Sequence, residues 1–226
     1  MKNQIKVYYT DLANNYDDDR FNNTYGRFIN SQEKKILNKI LKINNKNNVL
    51  DIGCGTGRFL DFANFGVDIN EAMVKIARQK YPNKNILVKD ASDTGFENAT
   101  FNIVISFHLL MHLDVEKTKK IIDEAHRVLQ NGGRLIFDIP SKKRRKLVNY
   151  TAQNWHAANS FSKKDITKLL GDKWKLNNYY GILFFPIHRF PKKIRKLFIG
   201  LDNLFCQSFL KEYSSYLLFD IEKTGC

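Results

Sequence analysis

The sequence predicts an α/β protein built on a doubly wound, mostly parallel sheet. Short apolar runs alternate with helical patterns from residue 49 to residue 139. The clearest of these runs, FNIVISF at 101–107, is apolar and β-branched on both faces, as a strand covered by helices on both sides should be. Each run also ends in a polar residue: Asp51, Asp68, Asp90, Ser106 and Asp138 stand at or near the strand ends. Sheets of this kind bind ligands outside the carboxyl ends of their strands, near the switch point in strand order.

The 226 residues, 43% hydrophobic and 27% charged, suit one such domain (1–226). No apolar run is long enough for a membrane span, and residues 1–9 lack the apolar core of a signal peptide. Cys54, Cys206 and Cys226 have neither metal nor redox spacing, which fits a reducing, cytoplasmic setting. The net charge of +14 raises the question of anionic partners. Lysines accumulated on solvated faces, in a chain rich in Asn, Lys and Ile, are the competing account.

Residues 1–30 are polar but studded with Tyr8, Tyr9, Tyr16, Phe21, Tyr25 and Phe28, the pattern of a segment that covers something. A helix is expected over 31–42 from Ile36, Leu37, Ile40 and Leu41. Strands are expected at 49–52, 65–68, 86–89, 101–107 and 134–139. Asn70 should cap a helix over 71–80, and Asp114 one that runs to Leu129 and is closed by Gly132 and Gly133. The interval 58–64 has room for only a short helix. Ser162 and Asp165 form a capping box for a helix to Leu170, and two further strands fall at 176–185 and 214–221.

The stretch NVLDIGCGTGRFL at 48–60 carries the most chemistry. A strand breaks into Gly53, Gly55 and Gly57, residues that accept positive φ and let backbone approach a ligand. A dinucleotide site wants G-x-G-x-x-G, with its third glycine one position later; here position 58 is Arg. Asp51, just before the turn, would repel a pyrophosphate and welcome an ammonium group. The ligand suggested has an amino acid at one end and a ribose at the other.

Taken together, VLDIGCGTG, the following Gly-Val-Asp68, Asp90-Ala91, FNIVISFHLLMHL and HRVLQNGGRLIFDIP closely resemble the class I S-adenosylmethionine-dependent methyltransferases of small-molecule type, over about residues 16–140. The resemblance implies a Rossmann-like, seven-stranded sheet with the last strand antiparallel, and S-adenosyl-L-methionine as cofactor. It gives Asp51 and the turn of Gly53, Cys54, Gly55 and Gly57 the methionine end. Asp68 would take the ribose hydroxyls, with Ile69 against the adenine and Met73 near it. Asp90 and the Ala91 N–H would bind the base, and Ser106 and Phe107 would lie beneath the sulfonium. In the covering segment, Tyr16 and Arg27 would reach the carboxylate or sulfonium end. The ten residues from Arg58 to Val67 are fewer than the family usually has there, and Asn131 replaces a usual proline.

For the acceptor side, His112, His156 and Tyr150 are the candidate bases. The Asp/Asn-Pro-Pro-aromatic run of base-amine methylation is absent after the fourth strand, and so are clustered carboxylates for a metal; no metal is expected. A small-molecule acceptor is left, anionic or carried on something anionic, because basic runs fall on the site side. These are Lys142-Lys143-Arg144-Arg145-Lys146 within 141–160, and His188-Arg189, Lys192-Lys193 and Arg195-Lys196 within 186–213. The stretch IHRFPKKIRKLFIGLDNLF also has the make-up of a lid or of an amphipathic element on an anionic membrane surface. An RNA methyltransferase and a non-catalytic methyltransferase-like binding protein are the alternatives; the oligomeric state is not readable.

Overall fold

A computed structural model of the chain describes residues 2–41, 48–152, 158–191 and 193–225. The strands are β1 (Val49–Ile52), β2 (Phe65–Asp68), β3 (Asn85–Val88), β4 (Phe101–Ser106), β5 (Leu129–Pro140), β6 (Trp174–Ile182) and β7 (Tyr216–Lys223). They form one sheet in the order β3-β2-β1-β4-β5-β7-β6. The first five are parallel, and β7 runs antiparallel to both β5 and β6. Strand order reverses between β1 and β4, which places Asp51 and Ser106 beside the switch point.

Alternation along the strands feeds two cores. Leu50, Ile52, Val104, Phe137 and Phe219 face one side, against Ile121, Ile122, Ala125 and Val128 of α5 (Val115–Val128). Val49, Ile103, Ile105, Ile136 and Leu218 face the other, with Leu37 and Leu41 of α3 (Thr24–Leu41) and Val74 and Ala77 of α4 (Glu71–Lys80). Expected caps are in place: the Asn70 side chain accepts from the Ala72 and Met73 amides, and Asp114 accepts from Lys117 at 2.7 Å. Ser162 and Asp165 cap α7 (Lys163–Leu170) reciprocally. Such a cap contributes about 1 kcal/mol.

Three local expectations change. No helix follows the glycine turn. Residues 58–63 instead make successive tight turns, with Leu60 N donating to Gly57 O at 3.1 Å and Phe62 N to Phe59 O at 2.9 Å. These turns bury Phe59, Leu60, Phe62 and Ala63 and leave Asp61 exposed, where it pairs with Lys34. The double glycine does not close α5; β5 starts at Leu129 and runs through Gly132, at φ +73°. The helix expected from residue 31 begins at Thr24, inside the covering segment.

That segment forms α1 (Lys2–Leu12), α2 (Tyr16–Phe21) and the start of α3. The turn between α2 and α3 is tight: a Cβ on Gly26 would lie 1.8 Å from the Arg20 carbonyl oxygen. Asp17 ties α2 to the glycine turn, accepting from Thr56 Oγ1 at 2.7 Å and pairing with Lys80. The Asn70 amide reaches Lys6 O and Thr10 Oγ1 on α1. Among the described residues, no helix is long and apolar enough to cross a membrane.

Candidate active site

The glycine turn is built on positive φ at Gly53 (+77°), Gly55 (+52°) and Gly57 (+89°). Gly53 N and Cys54 N both donate to Val67 O, which folds the turn back over the end of β2. Asp68 then braces it. Its Oδ2 accepts from Gly55 N at 2.9 Å and its Oδ1 from Asn70 N at 2.8 Å. Burial raises the Asp68 pKa, and these amides oppose the rise.

Three cavities run in a row across the carboxyl ends of the strands. The first, of about 330 Å³, lies between Gly53, Asp68, Ile69, Asp90, Ala91 and Leu109. The second, of about 100 Å³, shares Gly53, Asp68 and Ile69 with it and adds Gly55, Met73 and Phe107. Tyr9, Tyr16, His108 and His112 close its far side and also line the third cavity, of about 300 Å³. There they stand with Arg20, Phe21, Tyr25 and Tyr216. Phe107 packs on Phe59 with ring centroids 4.3 Å apart. Asp90 is held by Lys117 at 3.1 Å and by Ser92.

The structure thus gathers Gly53, Gly55, Asp68, Ile69, Met73, Asp90, Ala91, Phe107 and Tyr16 along the first two cavities. Asp51, Cys54, Gly57 and Ser106 are buried behind the wall, Ser106 donating to Ile52 O at 3.0 Å. Burial, with Asp68 adding to it and Arg58 opposing, pushes the Asp51 carboxyl up to about 7. Arg27 is exposed and lines none of the three; Arg20 is the arginine on the third cavity.

Of the candidate bases, His112 is on the shared wall, its Nε2 3.0 Å from the Tyr9 hydroxyl. Tyr150 is exposed, lies under Arg145, and lines a separate open groove with Lys142 and Lys146. His156 lies outside the described residues. The basic run after β5 forms α6 (Lys142–Leu147), in which Lys142 pairs with Asp165 and Lys143 with Glu212. The second basic stretch contributes α8 (Arg195–Gln207), which exposes Leu197, Leu201 and Leu204. Among the described residues, neither basic run lines the three cavities.

Sequence reasoning missed His108, directly after β4 and Phe107. Its backbone is left-handed (φ +55°), fixed by donation of its N–H to Asp138 Oδ1 at 2.6 Å. Its Nε2 lies 2.7 Å from Oε1 of Glu33, fully buried on α3, and 3.7 Å from Asp138 Oδ2. Arg58 Nη1 holds the other Glu33 oxygen at 2.5 Å. Burial would raise the Glu33 pKa, but Arg58 and His108 outweigh it and hold it low. Burial would lower the His108 pKa, but Asp138 and Glu33 outweigh it and raise it.

Residues 50–137 match the family model described as a methyltransferase domain. An uncharacterized protein of Methanocaldococcus jannaschii is 33% identical over 97% of this chain and 90% of its own length. The fold is similar to a Thermotoga maritima structure described as a SAM-dependent methyltransferase, possible histamine N-methyltransferase. There the TM-score is 0.72 at 18% identity, covering 97% of this chain and 99% of that one. The chain belongs to the class I S-adenosylmethionine-dependent methyltransferases. Magnesium protoporphyrin IX methyltransferase from Synechocystis, solved with bound SAM, shares the fold at TM-score 0.61 and 19% identity, with 97% of each chain covered.

The methyltransferase cofactor, S-adenosylmethionine, can be tested against the residues present. A Cβ built on Gly55 would meet no atom within 4 Å, so the turn leaves open space where a ligand's backbone contacts would fall. Two acids, Asp68 and Asp90, stand at successive strand ends on the adjoining first cavity, suited to hydroxyl and amino donors. A third, Asp51, is buried close by with a raised pKa, a place that favours a cation. The donor set fits the cofactor.

Proposed function

We propose that this methyltransferase methylates a small-molecule acceptor seated in the tyrosine-lined third cavity. One observation carries the proposal: Tyr9, Tyr16, His108 and His112 form a wall common to that cavity and to the one at the glycine turn. An acceptor on one side therefore meets whatever the turn presents on the other. Arg20 gives the cavity a cation, and no carboxylate is among its described lining residues, which favours an acceptor bearing an anionic group.

Bound S-adenosylmethionine supplies an electrophilic methyl group on a positively charged sulfur. The chain's own part is mostly positioning, since in-line displacement gains most from alignment of the partners. Asp68 and Asp90 would hold ribose and adenine, with Ile69 and Met73 packing about the base. Asp51 and the 53–57 backbone would hold the methionine end. Tyr16 and Phe107 would screen the reacting region from water. Tyr25 and Tyr216, whose hydroxyls hydrogen-bond one another, shape the far wall of the acceptor cavity.

An RNA acceptor is favoured by a different observation, the exposed groove lined by Lys142, Arg145 and Lys146 on a chain of net charge +14. Incubation with methyl-tritiated S-adenosylmethionine and a cell extract, split into deproteinised low-mass and RNA fractions, separates the two. Label in the low-mass fraction is expected. Label confined to RNA would replace this proposal with the other.

A further inference from the structure

We propose that His108 is the general base of the reaction, held by Glu33 and Asp138, and that the acceptor presents a hydroxyl to it. The inference rests on the small-molecule acceptor proposed above and adds the atom that loses its proton.

The geometry fixes which ring nitrogen is available. Glu33 is an acceptor only, so the 2.7 Å contact requires a proton on His108 Nε2. In the neutral ring the lone pair is then on Nδ1. His108 lines both the cavity at the glycine turn and the acceptor cavity. A histidine with one ring nitrogen tied to a buried carboxylate and the other left to accept a proton is the arrangement that activates hydroxyl nucleophiles.

The surroundings decide the charge. Glu33 faces the ring from α3, Asp138 from β5, Arg58 from the turn after β1, and the Tyr216 ring from β7 at 5.4 Å. Phe21 of α2 closes the edge at 6.4 Å. Tyr9, Tyr16, His112 and Arg20 share the cavity walls. The buried Asp138 Oδ2 has no hydrogen-bond partner, and it lies 3.7 Å from His108 Nε2. A protonated imidazole is the charge this oxygen lacks. In the step, the hydroxyl proton passes to Nδ1 while the oxygen pair bonds to the methyl carbon and the carbon–sulfur pair returns to sulfur. The imidazolium that remains is neutralised by the two carboxylates and then loses its proton to water.

A hydroxyl suits the cavity better than an amine. Arg20 repels an ammonium, whereas a neutral hydroxyl on an anionic molecule meets no opposing charge. The Glu33, His108 and Asp138 donor atoms lie within 4.8 Å of one another, close enough for one ion. Arg58 already supplies the cation Glu33 needs, so the cluster serves a base rather than a metal ion.

The test combines three readouts. In the free protein, an NMR titration should place the His108 imidazole pKa above the ordinary 6.5, and D138N should lower it. A His108 pKa at or below that ordinary value, or one unmoved by D138N, overturns the inference without needing an acceptor. H108N should bind S-adenosylhomocysteine within about threefold of wild type while its transfer of labelled methyl to the low-mass extract falls about 100-fold or more. In the wild type the transfer rate should rise with pH through the His108 pKa, and D138N should move that rise to lower pH. The product formed from 13C-methyl donor should carry an O-methyl resonance. Transfer at the wild-type rate by H108N, an N-methyl product, or loss of activity with EDTA restored by a divalent ion would each overturn it. If the wild type binds S-adenosylhomocysteine but labels nothing in the low-mass fraction, the acceptor proposal falls and the titration alone decides the base.

Discussion

The Gly55 amide donates to Asp68 Oδ2 at 2.9 Å, so the tip of the glycine turn and the end of β2 hold each other in place. Asp68 also accepts from Asn70 N, and its carboxylate still has acceptor capacity for a ligand hydroxyl. Asp68→Ala should therefore do two things: loosen the turn and remove the proposed ribose contact. Calorimetry should show S-adenosylhomocysteine affinity falling at least tenfold, about 1.4 kcal/mol, with circular dichroism unchanged.

Gly53 and Gly55 should respond differently to alanine. At Gly53 a Cβ would lie 2.9 Å from Leu109 Cδ2 on a backbone at φ +77°, so strain and collision add. Gly53→Ala should lower stability by about 2 kcal/mol in urea unfolding. At Gly55 the Cβ meets nothing, leaving only the left-handed backbone as a cost, about 1 kcal/mol. Its methyl would project into the open space of the turn, so cofactor affinity should fall more than stability does.

Asp17 should control how firmly the covering helices close. It accepts from Thr56 Oγ1 at 2.7 Å, and its pairing with Lys80 is exposed and adds little. Asp17→Ala removes about 1 kcal/mol of hydrogen bonding. Hydrogen exchange over residues 2–21 should speed up, and S-adenosylhomocysteine should dissociate about fivefold faster in stopped flow.

Asp51 gives the site a pH dependence of definite sign. Burial raises its carboxyl from the ordinary 3.8 to about 7 in the folded protein, which therefore keeps this proton where the unfolded chain has lost it. Stability from this group is full below about pH 4, falls as pH rises toward 7, and is flat beyond. Asp51→Asn should flatten that fall, so thermal unfolding scans of the two proteins should diverge between pH 4 and 7. A ligand ammonium favours the ionised form, so wild-type affinity for S-adenosylhomocysteine should rise through pH 7 and the variant's should not.

The strands were legible because each is a short apolar run closed by a polar residue, and the run from Val49 to Asp51 leads into glycines that no other element would tolerate. The Asp68 and Asp90 positions followed from strand ends. The segment after Gly57 was not legible: Phe59, Leu60, Phe62 and Ala63 are buried and Asp61 is exposed, a pattern that a short helix and the observed turns share. Glu33, His108 and Asp138 escaped for another reason. Glu33 and His108 are 75 residues apart, and His108 and Asp138 are 30 apart, so no local spacing brings them together. One signal was present. Glu33 sits in the stripe Ile29, Glu33, Leu37, Leu41, and an acid on the buried face of a helix needs a cationic partner. Arg58, noted in the sequence for interrupting the glycine spacing, is that partner.

In the proposed reaction, donor and acceptor meet at the wall of Tyr9, Tyr16, His108 and His112. A crystal structure with S-adenosylhomocysteine bound tests it most directly. The ribose is expected on Asp68, the adenine beside Asp90 and Ala91, and the sulfur facing that wall. Adenosine bound elsewhere, or a sulfur turned away from Tyr16 and His108, would contradict it.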